Sequence, residues 1–306
     1  MPLALAFDLG GTQLRAAVVD GQGQVKCRAA VPTDVAGGPS AIVADMLRLA
    51  TEVMANDRRR IVAAGVSAPG PLDSDTGTVI DIPTLQGWAN FPLKRVLGEK
   101  LAMPVVLEND GIAAAFGEWK HGAGRGLSHL VYVTVSTGIG GGVIADGRLL
   151  RGRRGMAGHI GHMMIARDGP ACTCGGTGCF EALASGTAFS AAARAAGYAD
   201  AKSVVEAARH GDARAGVVVA GEADLLGYGL ASLHYLFSPE RIVIGGGVSQ
   251  ALDLMAPRIR EQIKRLVMAP FRDVEVVAAE LGDNAGLVGV ASLAASQDHP
   301  RWTYGS

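Results

Sequence analysis

Three of the chain's four cysteines lie within eight positions of one another, at Cys172, Cys174 and Cys179. Glycines between them allow the backbone to fold back, so the sulfur atoms can converge on one point. With His162 they form a set of three thiolates and one imidazole that suits zinc, and four protein ligands leave no open position for a reactive water molecule. The sequence therefore predicts a structural Zn²⁺ in a loop that constrains the fold around it.

Two alternatives to a metal site are weaker. A disulfide is disfavoured because the cluster holds an odd number of cysteines, no secretory signal is recognised, and cytosolic thiols stay reduced. Redox chemistry of the thioredoxin type requires Cys-x-x-Cys, whereas the spacing here is Cys-x-Cys followed by Cys-x4-Cys. Two polar residues, His159 and Glu181, flank the metal loop, and we expect both to face a ligand.

The composition favours a protein that acts on small molecules. The chain has 306 residues, of which 49% are hydrophobic and 19% charged, and its formal net charge of −1 provides no basic field for nucleic acid or anionic membrane. No apolar run approaches the roughly 18 residues that span a bilayer, and no export signal is recognised. We expect a cytoplasmic protein with two lobes that share a cleft, without nucleic-acid or membrane partners.

The first motif is a polar turn between two β-like runs. Residues 3–8 form an apolar run that ends in Asp8, and Gly10, Gly11 and Thr12 follow before the second run. Glycine amides and the threonine hydroxyl can approach a phosphate, and a carboxylate at the strand end can organise Mg²⁺ through water. A tight hairpin with a capping aspartate explains the same pattern without any ligand.

This pattern recurs later in the chain. Residues 130–135 form a strand, residues 136–142 a polar glycine turn, and residues 143–145 a second run. The repetition suggests an internal duplication. A third glycine turn, residues 245–247, follows a strand at residues 241–244 and is suited to a nucleoside. Neither the dinucleotide-binding Gly-x-Gly-x-x-Gly with its acidic partner nor the P-loop pattern is found.

Other segments place further candidates at strand ends. Hydrophobic spacing predicts a helix over residues 40–54 and a strand over residues 61–66, after which a rigid corner contains Gly70. A strand at residues 105–107 ends in Glu108, Asn109 and Asp110 before a helix that runs to about residue 118. Carboxylates at such a junction are commonly helix caps, but Asp110 is also suited to accept a proton. Residues 187–237 are predicted to be mostly helical, and residues 284–295 form a small-residue helix.

Five motifs, in order along the chain, resemble those of the ROK family of sugar kinases and repressors. They are Asp8-Leu9-Gly10-Gly11-Thr12, Glu108-Asn109-Asp110-Gly111, Ser136-Thr137-Gly138-Ile139-Gly140-Gly141-Gly142, Cys-x-Cys-Gly-x-x-Gly-Cys-x-Glu from Cys172 to Glu181, and Ile244-Gly245-Gly246-Gly247. The resemblance implies an α/β protein with the two-lobed, actin-like fold of sugar-kinase ATPases, with duplicated ribonuclease-H-like cores. The expected lobes are residues 1–118 plus 284–306, which is the smaller, and residues 119–283, which carries the zinc loop.

The resemblance also implies roles for individual residues. Asp110 matches the catalytic base that removes the proton from a sugar hydroxyl. The implied sugar-binding residues are Gly70, Asn109, Asp110, His159, His162 and Glu181, of which His162 is also a zinc ligand. The implied phosphate and ATP residues are Asp8, Gly10, Gly11, Thr12, Thr137, Gly138, Gly140, Gly245 and Gly246. The implied cofactors are ATP and Mg²⁺, and the implied assembly is a homodimer.

One departure from the family pattern bears on the substrate. Most ROK glucokinases have Gly-Glu-x-Gly-His where this chain has Gly-His-Ile-Gly-His, so that His159 replaces a sugar-contacting glutamate. This form resembles bacterial N-acetylmannosamine kinases. A neutral imidazole offers one donor and one acceptor where a carboxylate only accepts, which alters the preference for groups on C1 and C2 of the sugar. A neutral replacement is the alternative. Thr84 stands where many relatives have a sugar-binding asparagine.

The sequence therefore favours a kinase for the 6-hydroxyl of N-acetylmannosamine, in sialic acid breakdown. Glucokinase and N-acetylglucosamine kinase are alternatives of the same class. A ROK repressor would carry an N-terminal helix-turn-helix, which is not found before the first strand. A sugar sensor without catalytic activity is the remaining class, and the presence of Asp8, Asp110 and both glycine turns argues against it.

Overall fold

The computed structural model describes residues 3–55, 58–82 and 84–296. The strands are β1 Leu3–Leu9, β2 Gln13–Asp20, β3 Val25–Pro32, β4 Ile61–Ala68, β5 Leu72–Asp73, β6 Thr78–Val79, β7 Val105–Asn109, β8 Leu130–Val135, β9 Ile139–Ala145, β10 Arg148–Leu149, β11 Arg241–Gly245 and β12 Glu275–Ala278. The helices are α1 Gly38–Val53, α2 Leu93–Leu101, α3 Asp110–His121, α4 Phe180–Ala184, α5 Gly186–Ala195, α6 Ala201–Arg209, α7 Ala213–Phe237, α8 Leu252–Leu266 and α9 Ala285–Ala295. This content confirms the predicted α/β class.

The chain forms two compact units. The first comprises Met1–His121, Arg151–Met156 and Asp283–Ser306, and the second comprises Gly122–Leu150 and Ala157–Gly282. Residues 151–156 therefore group with the first unit, whereas the expected division of lobes assigned them to the second.

Contacts with the first unit explain where this short segment lies. The guanidinium of Arg151 lies 2.9 Å from the carboxylate of Glu108, which is completely buried. A Cβ atom on Gly155 would lie only 2.5 Å from Ser74 Oγ, so the backbone of the segment packs closely on the first unit. An ion pair between distant parts of the chain has no signature in the local sequence.

The first unit contains a five-stranded mixed sheet in the order β3-β2-β1-β4-β7. The strands β1, β2 and β3 form an antiparallel meander, while β4 and β7 run parallel to β1. All seven residues of β1 are buried, as expected for a central strand covered on both faces. The carboxyl ends of β1, β4 and β7 therefore meet at one edge of the sheet, where α/β proteins commonly bind ligands.

Helices α3 and α9 cross at very short range within the first unit. A Cβ atom on Gly289 would lie 1.7 Å from the carbonyl oxygen of Ala113, and one on Gly117 would lie 2.6 Å from that of Ala285. Both glycines are required at this crossing because any side chain would separate the helices. The small residues of α9, noted in the sequence, permit this contact.

The second unit repeats the architecture of the first. Its sheet has the order β10-β9-β8-β11-β12, with β8, β9 and β10 antiparallel and with β11 and β12 parallel to β8. These orders and directions match those of the first sheet strand for strand. The internal repetition suggested by the glycine turns thus extends to the topology of two complete sheets.

The structure corrects the predicted glycine turn at residues 136–142. Strand β9 begins at Ile139, and Gly140 pairs with Thr134 inside the antiparallel ladder. A Cβ atom on Gly141 would lie 2.4 Å from the side chain of Ile160. These glycines therefore belong to a strand, where the absence of a side chain lets a neighbouring segment pack on the sheet.

One helix in the described part of the chain, α7, is long and apolar enough to span a membrane by length and composition. Half of its most apolar window is buried in the protein, as in the core helix of a globular domain. The helix packs against α6 and α8, and it carries Asp224 on its surface and Glu222 among its buried residues. Length and composition alone are therefore weak evidence for a membrane span here.

Candidate active site and metal centre

Asp8 lies at the carboxyl end of β1, between partners on both neighbouring strands. The sheet register places it opposite Arg15 on β2 and beside Ser67 on β4. Ser67 Oγ donates a hydrogen bond of 2.9 Å to Asp8 Oδ1, and the Arg15 guanidinium forms an ion pair with Oδ2. The residue is 8% exposed. Both carboxylate oxygens are thus held by donors at the edge of the sheet.

The turn that follows β1 is a hydrogen-bonded hairpin in which Gly11 has free space beside it. The Gly10 N–H donates to the carbonyl oxygen of Gln13 at 3.0 Å, and Thr33 Oγ1 donates to the Gly10 carbonyl at 2.7 Å. At Gly11 an added Cβ atom would meet one atom within 4 Å, Thr84 Oγ1 at 3.7 Å. Thr12 is exposed. Phosphate binding by Gly10, Gly11 and Thr12 stays a prediction.

Asp110 is the first residue of α3, directly after β7. Asn109 Oδ1 accepts hydrogen bonds from the N–H groups of Gly111 and Ile112 at 3.0 and 3.4 Å, so Asn109 caps the helix. Asp110 Oδ1 also accepts from Gly111, at 2.7 Å, and the residue is exposed. Both alternatives from the sequence, a helix cap and an accessible carboxylate, are therefore combined at this junction.

The environment of Asp110 suits a proton acceptor. Although Asp110 keeps contact with solvent, the protein atoms crowded around its carboxylate reduce its hydration and, together with the charge of Asp8, raise its pKa to about 6, while hydrogen bonds from Gly111 and Asn109 act in the opposite direction. At this value the carboxylate is mostly ionised at neutral pH and still basic enough to take a proton.

Glu108 stabilises the junction of β7 and α3 from its buried side. Its Oε1 accepts a hydrogen bond from the Asn109 N–H at 3.0 Å, and its Oε2 forms the ion pair with Arg151. Burial raises the pKa of Glu108 above its usual value, and the charge of Arg151 offsets only part of this increase. Gly70 follows β4 in a half-buried bend of the same unit. The contacts described for Gly70 give no indication of a ligand, so its sugar-binding role stays a prediction.

In the second unit, Glu181 is fixed against the turn between β8 and β9. Its Oε2 accepts a hydrogen bond of 2.9 Å from the Ile139 N–H, and a Cβ atom on Gly138 would lie 2.4 Å from the same oxygen. Thr187 Oγ1 donates to the Thr137 carbonyl at 2.7 Å. The turn is therefore held by the start of α4 and α5, and Gly138 is needed to admit the carboxylate.

The glycines after β11 have structural requirements of their own. A Cβ atom on Gly245 would lie 2.2 Å from the hydroxyl of Tyr132, and Gly246 has a φ of +78°. Gly247 differs, because a Cβ atom there would have no neighbour within 4 Å. Nucleotide binding at Gly245 and Gly246 stays a prediction, and Gly247 is the position of this turn that faces open space.

The structure brings the four predicted metal ligands together. The ligand atoms of His162, Cys172, Cys174 and Cys179 all lie within 4.8 Å of one another. His162 Nδ1 is 3.6 Å from Cys172 Sγ, and the sulfur atoms of Cys174 and Cys179 are also 3.6 Å apart. A tetrahedral zinc site with bonds of about 2.3 Å has edges of about 3.8 Å. The donor set and its spacing therefore fit zinc.

The loop backbone explains why glycines separate these cysteines. Gly175 and Gly178 have φ values of +91° and +66°, and a Cβ atom on Gly178 would lie 1.7 Å from the Ala166 carbonyl oxygen. Burial raises the pKa of the Cys179 thiol to about 12, so the thiol keeps its proton when no cation is near. Metal binding at this position would release that proton.

His159 immediately precedes the short helix that contains His162. The two rings are nearly parallel, with an angle of 12° between their planes and 6.4 Å between their centres. Burial lowers the pKa of His159, and the neighbouring imidazole of His162 adds to this effect. The half-buried ring is thus neutral at physiological pH and presents one donor and one acceptor.

Two residues beside Asp8 were not predicted from the sequence. Arg15 could have been found from the hairpin, since a tight turn at residues 10–12 places it opposite Asp8. Ser67 could not, because its contact depends on the pairing of β1 with β4, which are separated by more than 50 residues.

Comparisons with known proteins extend over nearly all of the chain. The sequence profile of the ROK family matches residues 4–297. A glucokinase from Streptomyces coelicolor is 38% identical over 319 residues, covering 97% of this chain and 99% of the relative. An N-acetylmannosamine kinase from Escherichia coli O157:H7 is 36% identical over 293 residues, covering 95% and 97%.

The fold is similar to that of a solved family member. The crystal structure of a ROK family glucokinase from Streptomyces griseus, in complex with glucose and AMPPNP, matches with a TM-score of 0.84 at 35% identity, covering 95% of this chain and 99% of that chain. These matches confirm the resemblance that the five motifs indicated. The chain therefore belongs to the ROK family.

Proposed function

We propose that the protein is an ATP-dependent sugar kinase that phosphorylates the 6-hydroxyl of N-acetylmannosamine, with Asp110 as the general base. The observation that carries the proposal is the state of Asp110, an exposed carboxylate at the start of α3 with a pKa raised to about 6. The names of the glucokinase and N-acetylmannosamine kinase relatives support the reaction class.

Asp110 accepts the proton of the attacking hydroxyl in this mechanism. Phosphoryl transfer needs little covalent help from the protein, so the main tasks are positioning, charge stabilisation and proton acceptance. Asn109 holds the start of α3 by its cap, and this fixes the position of Asp110 relative to β7. The proposed sugar-binding residues are Gly70, Asn109 and Asp110 in the first unit, and His159, His162 and Glu181 in the second.

The phosphate chain is assigned to the glycine turns and to Gly140 in the first part of β9. Bound ATP with Mg²⁺ supplies the phosphoryl group and neutralises its charge. The residues proposed to hold it are Asp8, Gly10, Gly11 and Thr12 in the first unit, and Thr137, Gly138, Gly140, Gly245 and Gly246 in the second. Among these, Asp8 has the chemistry for the magnesium shell, because it is an anionic carboxylate at a strand end.

The choice of sugar rests on His159. Its neutral ring can both donate and accept, and an acetamido group on C2 likewise offers a donor and an acceptor. Glucose is the competing substrate, since glucokinases are as similar to this chain as N-acetylmannosamine kinases, at 38% and 36% identity.

A panel of sugars tests the proposal. Purified protein with Mg·ATP should be assayed on N-acetylmannosamine, N-acetylglucosamine, glucose and mannose, with kcat/KM compared. The highest value for N-acetylmannosamine is expected. A higher value for glucose would replace the proposed substrate and keep the reaction, and no turnover with any of the four sugars would remove the kinase assignment.

The zinc loop is proposed to be structural. Four protein ligands complete a tetrahedron, so no position is left for substrate or water. Glu181 lies two residues after Cys179, and His159 three before His162. A metal at the cluster would therefore hold both ends of the segment that carries the proposed sugar contacts.

We also propose a homodimer, as the family resemblance implies. The second unit exposes a cluster of large apolar side chains near the end of α7 and after α8, formed by Tyr235, Met268 and Phe271, each about half exposed. The hydroxyl of Tyr235 accepts from the Met268 N–H at 3.0 Å, and the Phe271 N–H donates to the Met268 carbonyl oxygen at 2.9 Å, so the three residues are neighbours. Light scattering on the purified protein would give the mass of the assembly, and a monomer would contradict the proposal.

A further inference from the structure

Arg15 is the cation paired with Asp8 at the edge of the first sheet. One terminal nitrogen contacts Asp8 Oδ2, and the other donates to the Asp283 carbonyl oxygen at 3.0 Å. Its Nε is buried and has no acceptor among the residues that the structure describes. The side chain is 22% exposed. The guanidinium is thus held in position at both terminal nitrogens, while its buried Nε–H group has no acceptor in the described part of the chain.

Among the residues that the structure describes, Arg15 is the cation that pairs with Asp8. Strand β4 supplies the neutral hydroxyl of Ser67, and α9 supplies Gly286, on which a Cβ atom would lie 3.2 Å from Asp8 Oδ1. The sheet register places Ser67 between Asp8 and Glu108, and Asp110 follows two residues after Glu108 at the end of β7. At this position the charge of Asp8 acts on the proton affinity of Asp110. This edge of the sheet therefore contains the carboxylates of Asp8 and Asp110, and the contacts described here bring one guanidinium to it, that of Arg15.

We propose that Arg15 is a positioning residue for the reaction, which acts through Asp8 by holding its carboxylate in place and compensating its charge beside Asp110. The proposal rests on the proposed function, because it treats Asp110 as the base. With Arg15 present, the two carboxylates and the guanidinium carry a net charge of −1. Without Arg15 the two carboxylates carry a net charge of −2, and Asp110 binds its proton more tightly.

This charge arrangement has a measurable consequence at Asp110. When Arg15 is replaced, the charge of Asp8 is no longer compensated, and like charges at short range raise each other's pKa. We expect Arg15→Met to raise the apparent pKa of Asp110 by about 0.5 to 1 unit. Arg15→Lys keeps the charge and should leave the pKa close to that of the wild type.

The experiment is a carboxyl-carbon NMR titration of the full-length protein with ¹³C-labelled aspartate, without nucleotide or sugar, with Asp110 assigned from the Asp110→Asn spectrum. Arg28→Met is the matched control, because this arginine donates to Asn284 Oδ1 in the neighbouring turn and does not contact Asp8. Asp8→Asn and the double variant Asp8→Asn with Arg15→Met complete a thermodynamic cycle. Arg15→Gln replaces Arg15→Met if the latter does not fold.

The proposal expects Arg15→Met to shift Asp110 upward and the shift to disappear in the Asp8→Asn background. An unchanged Asp110 titration would overturn it, and so would a shift of equal size with and without Asp8. The acidic limb of kcat/KM against pH should move with the NMR titration. Because the titration needs no turnover, loss of the kinase assignment would show in the sugar panel and leave the coupling of Arg15 to Asp8 separately measurable.

Discussion

Glu181 and Gly138 are in contact across the turn between β8 and β9, with the carboxylate in the space that any side chain at residue 138 would fill. The same oxygen accepts the Ile139 N–H. A proposed sugar contact and a proposed phosphate contact are thus parts of one packed arrangement, and a change at one position must move the other.

Gly138→Ala should therefore weaken sugar binding. The new methyl group would displace the Glu181 carboxylate, whose flexible end can yield, so the fold should survive. We expect KM for the sugar to rise about three- to tenfold, the scale of one impaired hydrogen bond. Gly247→Ala is the control, because that position faces open space. Equal KM values for the two variants would contradict the role of Glu181 in sugar binding.

Turnover should depend on the ionisation of Asp110. Its carboxylate must be deprotonated to act as a base, so kcat/KM, which reports the free enzyme, should be constant above the pKa of about 6 and fall about tenfold per pH unit below it. Asp110→Asn should lower kcat by about 10² to 10⁴-fold while sugar binding persists. The exposed Asp146→Asn serves as control. A full-rate Asp110→Asn variant would remove Asp110 from the mechanism.

Cys174→Ser should release the metal. Loss of one ligand from a closed four-ligand site removes most of its affinity, and the metal's contribution to folding is lost with it. We expect zinc close to one equivalent in the wild type by elemental analysis and a lower Tm and sugar affinity in the variant. Cys27→Ser is the matched control, since Cys27 is exposed and lies outside the cluster. A wild-type protein purified without any zinc would refute the assignment.

His159→Glu should change the preference between sugars. A carboxylate only accepts hydrogen bonds, so the ratio of kcat/KM for N-acetylmannosamine to that for glucose should fall about ten- to a hundredfold, as expected for about 1 to 3 kcal/mol. Zinc content and Tm should stay unchanged, because the four metal ligands remain. An unchanged ratio would make His159 irrelevant to specificity.

Glu222→Gln should stabilise the protein in a pH-dependent way. Burial raises the pKa of Glu222 to about 9, whereas the unfolded chain has a value of about 4.3. The folded state thus keeps a proton that the unfolded state loses. The contribution of Glu222 to stability is full below about pH 4 and is lost progressively as the pH rises towards 9.

The difference in unfolding free energy between the Glu222→Gln variant and the wild type should therefore grow from pH 5 to pH 9, by about 5 kcal/mol. Denaturant unfolding at several pH values measures it. The exposed Glu52→Gln is the control and should show no such trend. A pH-independent difference would mean that Glu222 is ionised in the folded state.

Local patterns predicted the parts of the molecule that depend on local chemistry. The hairpin around residues 10–12, the junction of β7 with α3 and the convergence of Cys172, Cys174 and Cys179 follow from turn residues, caps and spacing. The predicted turn at residues 136–142 was too long because glycines inside β9 were taken for turn residues. Their requirement comes from Ile160, which packs on the strand.

Long-range pairing could not be predicted. The partners of Asp8 on β4 and of Glu108 at residue 151 are set by how the sheet and the segment 151–156 assemble. Hydrophobic periodicity describes one element at a time and contains no information about such pairs. No strand was predicted at β3, because this edge strand is mostly exposed and lacks the apolar run that identified other strands.

The close crossing of α3 and α9 has a consequence for synthesis on the ribosome. The helix that begins with Asp110 rests against Gly289, which is translated about 180 residues later. All segments of the second unit leave the ribosome before α9, so that unit can complete its core first. The proposed catalytic base therefore lacks its final support until nearly the entire chain has been made. A stalled or shortened product would carry the zinc loop without a finished site for the reaction.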